Sequence, residues 1–312
     1  MTTLSPTRPV RRGPRGGYSA VPGQAPGSPP WRALKSVLLL VCVLLVAIPF
    51  LAVLATSVAD AGQLNDTGGF VMWPKHPTLG AYKAILGGGI VSRAMLVSIG
   101  VTVVGTLLSL AASIGLAYGL SRRGAYGQRP ILLMLVLSLL FVPGVIPSYL
   151  LIKNLGLIDS YWSLILPTLI NAFNVIVLRS FFASLPTELI DAARIDGASE
   201  WGILTRIVLP LSKASVAVIG LFYAVSYWNA FFNALVYMND SAKWPMQLVL
   251  RTYVVNNAAI SQGQTADPGA ALPPTLSLQA AILILSVLPI AVIYPFLQRH
   301  MGKGVMVGAV KG

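Results

Sequence analysis

The stretch DAARIDGASEWGILTRIVLP, residues 191–210, carries Asp191, Asp196 and Glu200, with Glu188 just upstream, in a chain that has only 9 acidic residues in 312. On both sides run long blocks of hydrophobe. Charge gathered in this way needs water, so the stretch must emerge from whatever medium holds its neighbours. Local signals shape it into two short helices with a bend. Pro186 suits the start of a helix, where its missing N–H costs nothing, and Glu188 complements the dipole there. Gly197 marks a stop, Ser199 can cap a second helix, and Trp201, Ile203, Leu204, Ile207 and Val208 carry that helix to Pro210. On the first helix Glu188, Asp191 and Arg194 share a face, beside an apolar one of Leu185, Leu189, Ala192 and Ala193.

The surroundings define the medium. The chain is 55% apolar and 10% charged, with a mean hydropathy of +0.76, far from the average of soluble domains. Its apolar residues fall into six blocks, at about 33–56, 93–120, 131–152, 161–182, 214–238 and 275–297. Each is long enough to cross a hydrocarbon core of about 30 Å at roughly 20 residues per helix. The expected fold is an all-α membrane protein with six transmembrane helices. The first block exceeds a signal-peptide core and five more follow it, so a retained helix is expected despite the small-residue motif at 59–61.

Basic residues set the orientation, because loops kept in the cytoplasm carry the excess of Lys and Arg. Arg8, Arg11, Arg12, Arg15, Arg32 and Lys35 attend the first block, Arg122, Arg123 and Arg129 follow the second, and Arg299, Lys303 and Lys311 follow the last. Both termini, and with them the loop at 183–212, are expected in the cytoplasm. The net charge of +13 is therefore topological and does not point to nucleic acid. The one cysteine, Cys42, lies within a span and excludes an internal disulfide or a cysteine metal cluster. Residues 1–32, rich in Pro, Gly and Arg, are expected to be disordered. The stretch NNAAISQGQTADPGAALPP, residues 256–274, is expected to form an external loop.

The acidic stretch resembles the cytoplasmic EAA loop of ABC-importer permeases, in which Glu-Ala-Ala is followed at fixed spacings by Gly, Ile and Leu-Pro. Here those positions are Asp191, Ala192, Ala193, Gly197, Ile207, Leu209 and Pro210. Together with YWNAFFNAL at 227–235 and the closing GAVKG, the pattern is similar to the carbohydrate-uptake, MalG-like branch. The stretches NAFNVIVLRSFF, at 171–182, and IYPFLQRHMGKGVMVGAVKG, at 293–312, bring it nearer to LplC-type oligosaccharide permeases. The resemblance runs over about 33–312. One departure is that Asp191 replaces the leading Glu and is shorter by a methylene.

The resemblance implies a type I ABC importer permease that moves a sugar by ATP-driven alternating access and binds no cofactor itself. It also implies a second permease subunit, a cytoplasmic ATPase dimer that uses ATP and Mg, and an extracellular solute-binding protein. Glu188 and Asp191 would set the register of docking on the ATPase, Ala192 and Ala193 would give the close-packed surface, and Gly197 the bend. For the path, Ser226, Asn229, Asn233 and Tyr237 follow one another at helical spacing beside Tyr223, Tyr227 and Trp228, and Thr168, Asn171 and Asn174 extend the stripe. Neutral hydrogen-bonding groups with aromatics suit a saccharide, and they suit interhelical hydrogen bonding equally well. Pro143, Pro147, Pro167, Pro289 and Pro295 are candidate kinks, and Arg179 is expected to snorkel to the interface. An enzyme is disfavoured, since His76, His300 and the acids lie outside the spans and no catalytic pair or Walker motif occurs. A stand-alone secondary transporter or channel is the alternative, though ion coupling usually leaves ionisable groups within spans.

Overall fold

The structure, a computed structural model, describes residues 29–122, 124, 126–256 and 273–308. The expectations for 1–28, for most of the 256–274 loop and for the last four residues lie outside these. The described elements are all helical. In chain order they are α1 (Pro29–Ser57), α2 (Ala61–Thr67), α3 (Gly80–Leu86), α4 (Ile90–Ser121), α5 (Gln128–Leu140), α6 (Val145–Asn154), α7 (Trp162–Ile165), α8 (Ala172–Ala183), α9 (Thr187–Ile195), α10 (Glu200–Ile203), α11 (Leu209–Leu211), α12 (Lys213–Trp228), α13 (Phe231–Tyr237), α14 (Met246–Leu250) and α15 (Thr275–Gly308). Short 3-10 turns follow α7 and α13, and π-helical turns join α10 to α11 and extend α14.

The chain divides after Phe50 into two compact units. The described part of the first is most of α1, which begins at Pro29, within the residues read as extension. Its leucines, such as Leu38, Leu39 and Leu45, are exposed. Near its start, Lys35 stands over the Trp31 ring at 5.5 Å.

The second unit is organised on α4, 32 residues and so about 48 Å long. One of its faces is lined with small residues: Ala94, Ser98, Gly105, Ser109, Ser113 and Ala117 are all buried. Small side chains let a neighbouring backbone come close, which is how helices pack where lipid removes the hydrophobic drive between them. Both α8 and α12 pack along α4 and enclose a core of Val101, Val175, Leu178, Ile203, Ile219 and Leu248. Towards the N-terminal end of α4 a second cluster joins α3, α14 and α15 through Ile85, Val91, Met246, Val249, Leu278 and Ile282. There Ser98 accepts the Met246 backbone N–H at 2.7 Å.

Among the described residues three helices are long and apolar enough to cross a membrane: Ala33–Ser57, Ile90–Ser121 and Thr275–Pro295. Two bent pairs raise the number to five if each pair is one span: Trp162–Thr168 with Ala172–Ala183, at 51°, and Glu200–Leu211 with Lys213–Trp228, at 86°. The expected third span is interrupted, with α5 and α6 separated by residues 141–144. Pro143 accounts for the break, because the residue before a proline avoids helical backbone and the ring itself cannot continue one. Pro147, in the first turn of α6, is tolerated. The expected fifth span likewise breaks at Asn229 and Ala230, so its stripe is not one helical face. By contrast, α15 runs on past Pro289 and Pro295. The apolar helix at Met246–Val255 is too short for a span and was not anticipated.

Candidate functional site

At the C-terminal end of α4 stands the loop formed by α9, α10 and α11. Pro186 occupies the position before α9, with extended backbone, and the helix begins at Thr187. Gly197 has φ +80°, its N–H donates to the Arg194 carbonyl at 3.0 Å, and the Ala198 N–H donates to the Ala193 carbonyl at 2.9 Å. This closes the end carbonyls of α9 in a Schellman turn, for which glycine is suited. Ser199 caps α10 by accepting the Gly202 N–H at 3.2 Å. The π turn at Leu204–Val208 comes just before Leu209 and Pro210. A widened turn relieves the ladder where proline lacks an N–H.

The apolar residues of α9 are divided between two sides. Ile190 is buried, and Leu185 and Ala193 pack against the core beside it. Leu189, Ala192 and the flanking Glu188 and Asp191 are exposed, and so are Ile195 at 87% and Trp201 at 73%. Ile207 and Leu209 are half-buried and Pro210 is exposed. Thus Ala193 faces the chain's own core, whereas Ile195 and Trp201 give the loop an outward apolar tip that spacing alone did not single out.

A polar bracket fixes this loop to α4. The Tyr118 hydroxyl donates to Glu200 Oε2 at 2.6 Å and lies 3.1 Å from the Glu200 carbonyl oxygen. Arg194 donates to Glu200 Oε1 through Nε at 2.9 Å and Nη2 at 2.7 Å. Arg122 lies 3.8 Å from Glu200 Oε2 and stacks on the Tyr118 ring at 4.1 Å. The hydrogen bond from Tyr118 first, then those from Arg194, hold Glu200 below the usual carboxylate range against partial desolvation. The same bonds raise Arg194. Asp191 is a looser partner of Arg194, at 3.8 Å. Arg179 does not simply reach for the interface: its Nε donates to the Leu120 carbonyl at 2.9 Å and satisfies an end carbonyl of α4, aided by Gln128 at 2.8 Å.

Further along α4 the expected path residues separate into two sets. Asn171, Asn174, Tyr223, Ser226 and Tyr227 border a cavity of about 600 Å³, together with Thr168 and Phe222. A smaller one of about 230 Å³ shares Thr168, Ser226 and Tyr227 and adds Asn229, Asn233 and Phe232. Asn171, Ser226 and Asn229 are exposed there. The two tyrosines are mostly occupied with packing. Tyr223 shares a hydrogen bond with Ser113 at 2.7 Å and accepts the Asn171 N–H at 3.0 Å, and Tyr227 shares one with Ser109 at 2.7 Å. Trp228 is in neither cavity: its indole N–H donates to the Ser286 carbonyl at 2.9 Å, and it borders an apolar cavity of about 500 Å³ with Pro289 and Ile293.

A loop fixed by polar bonds to one end of a long helix, together with a cleft of neutral polar groups between its neighbours, fits a transport subunit. The comparison with known families decides which kind. The model described as "Binding-protein-dependent transport system inner membrane component" matches residues 111–307. The chain belongs to this family. The permease is 43% identical over 275 residues to the polygalacturonan/rhamnogalacturonan transport system permease YtcP of Bacillus subtilis, covering 88% of this chain and 96% of that one. To LplC of Bacillus subtilis it is 46% identical over 266 residues, covering 85% and 89%. Its structure is similar to a chain of a bacterial ABC transporter involved in the import of the acidic polysaccharide alginate, with a TM-score of 0.80, 27% identity and coverage of 89% and 99%. The permease therefore has the type I ABC importer permease fold and is a multi-pass membrane protein. Like other permease subunits it is not an enzyme, and ATP hydrolysis belongs to a separate subunit.

Proposed function

We propose that the permease forms half of the membrane path of an importer for an oligosaccharide, paired with a second, different permease subunit. The reading is supported by the names of its relatives, which transport polygalacturonan or rhamnogalacturonan in one case and alginate in another. The family's dependence on a binding protein supports an extracellular solute-binding protein that delivers the sugar. In this reading the loop at 183–212 and both termini face the cytoplasm, in accord with the arginines at Arg122 and Arg129.

The observation that carries the mechanism is the outward tip of the loop, Ile195 and Trp201, beside the charged Glu188 and Asp191. An exposed apolar pair rimmed by charge is the anatomy of a protein contact. The partner is an ATPase dimer, which holds the ATP and Mg. Closure of that dimer pushes on α9, with Gly197 keeping the bend and Ile207, Leu209 and Pro210 the second arm. The membrane helices then change from outward-open to inward-open. Asn171, Asn174, Ser226, Asn229 and Asn233 offer neutral donors and acceptors to sugar hydroxyls, and Phe232 offers an apolar ring face. Tyr223 and Tyr227 shape the wall behind them, and Trp228 anchors α12 to α15.

The test is uptake of labelled oligosaccharides by cells lacking the chain and complemented with it. Wild type restores uptake of at least one oligosaccharide, whereas Ser226→Trp, which fills the join of the two cavities, does not. Uptake of monosaccharides alone, or uptake unaffected by Ser226→Trp, contradicts the reading.

A further inference from the structure

The hydrogen bond between Tyr118 and Glu200 joins residues 82 positions apart and ties the loop to α4, whose serines bond the tyrosines of the cleft wall. Three features set it apart from an incidental contact. It is short, 2.6 Å, and one partner is ionised, so it belongs to the stronger class of hydrogen bonds. Tyr118 is 9% exposed and held from the other side by Arg122, so its hydroxyl has little freedom to turn away. Glu200 is also the residue to which Arg194 of α9 is fixed, so both arms of the loop meet on one carboxylate.

On another face of the same helix, Ser113 and Ser109 hold Tyr223 and Tyr227 behind the cleft, so a shift of α4 as a rigid rod reaches them. Tyr223 in turn accepts the N–H of Asn171, where the chain breaks between α7 and α8. Movement of α9 relative to the membrane can thus reach α4 through Glu200 in addition to the apolar contacts of Ile190 and Ile203. A pairing made only by apolar contact would allow the loop to slide.

We propose that Tyr118 and Glu200 are positioning residues that transmit displacement of the loop to α4, so that losing their bond uncouples ATP hydrolysis from opening of the cleft. This rests on the reading of the 183–212 loop as the ATPase contact, and it identifies the link behind that contact.

The test needs no knowledge of the sugar. Cys42 is the sole cysteine, so a Cys42→Ala, Ser226→Cys chain carries one thiol, at the cleft. The complex that co-purifies with it is placed in lipid nanodiscs, and the rate of thiol labelling is compared with and without ATP and vanadate. In the parent, ATP changes the rate. In Tyr118→Phe the ATPase still co-purifies and hydrolyses ATP, melting falls by only a few degrees so that the complex stays folded, and the effect of ATP on labelling falls roughly tenfold or more. Glu200→Gln, which keeps the shape and weakens the bond, gives a smaller loss in the same direction, and the double variant is no worse than Tyr118→Phe alone. Parental responses in both single variants overturn the proposal. If ATPase is absent from the parent complex, the underlying contact itself is wrong, which is a different result from an ATPase that is bound and uncoupled.

Discussion

Gly105 of α4 lies directly against the ring of Tyr227 on α12: a Cβ added there would stand 2.8 Å from Cζ and 2.9 Å from the Cε atoms. The close approach of these two helices therefore depends on a missing methyl. Gly105→Ala should destabilise by about 1–3 kcal/mol, the usual cost of overpacking. Gly115→Ala, on the same helix with nothing within 4 Å, should leave stability unchanged or slightly raised. Thermal melts of the two purified variants check both; equal effects would deny the close contact.

The Ser113 and Tyr223 pair offers a quieter test. Ser113→Ala and Tyr223→Phe should each lower stability, and a double-mutant cycle should return a coupling of roughly 0.6–1 kcal/mol, typical of hydrogen bonds between membrane helices. Zero coupling would mean that the two hydroxyls do not bond.

At the tip of the loop, Ile195 and Trp201 contribute little to the fold because they are so exposed. Trp201→Ala and Ile195→Asp should therefore keep the parental melting temperature while weakening ATPase binding about tenfold or more, as expected of a central interface residue. Variants that melt early would show instead that the tip packs within the permease.

A pH dependence is expected at Asp159, the one described non-glycine residue with positive φ, +61°. It accepts the backbone N–H of Asp240 at 3.0 Å and of Asn239 at 2.9 Å, and its carbonyl accepts from Lys243 at 2.9 Å. The Asp240 N–H foremost, then that of Asn239 and the charge of Lys243, lower its pKa beneath the ordinary 3.8 against slight desolvation. A carboxylate depressed in the folded state stabilises fully above its unfolded value and loses that contribution as pH falls through the folded one. Between neutral pH and about pH 5 the knot should be insensitive to acid, and below 3.8 it should weaken. Asp159→Asn should remove this acid dependence, as read from melts across pH; an unchanged profile would assign the acid sensitivity elsewhere.

Much of this was legible because it is local. The Gly197 bend and the Ser199 cap were read correctly, since each depends on a few adjacent residues. Hydropathy located the long apolar helices but not their breaks, because Pro143 and Asn229 act on the backbone without altering the apolar average, and the expected count of six spans is not reproduced among the described residues. The helix at Met246–Val255 was missed because it is shorter than a span and its burial comes from Ser98, Ile85 and α15. Tyr118 and Glu200 were out of reach for a related reason, as their bond spans 82 positions. The aromatic and amide stripe proved divisible: Tyr223 and Tyr227 bond to serines on α4, a role their spacing could not distinguish from lining a cleft.

The central claim is that the bent loop carries an ATPase, and one comparison tests it most directly. Tagged permease is extracted from its membranes in mild detergent, and what accompanies it is identified, beside a Gly197→Pro variant. Proline can neither adopt φ +80° nor supply the N–H that closes α9 on Arg194. The account predicts that wild type brings a second permease and an ATPase, and that the variant keeps the permease partner while losing the ATPase. An intact wild type that brings no ATPase, or a variant that retains it fully, would contradict the account.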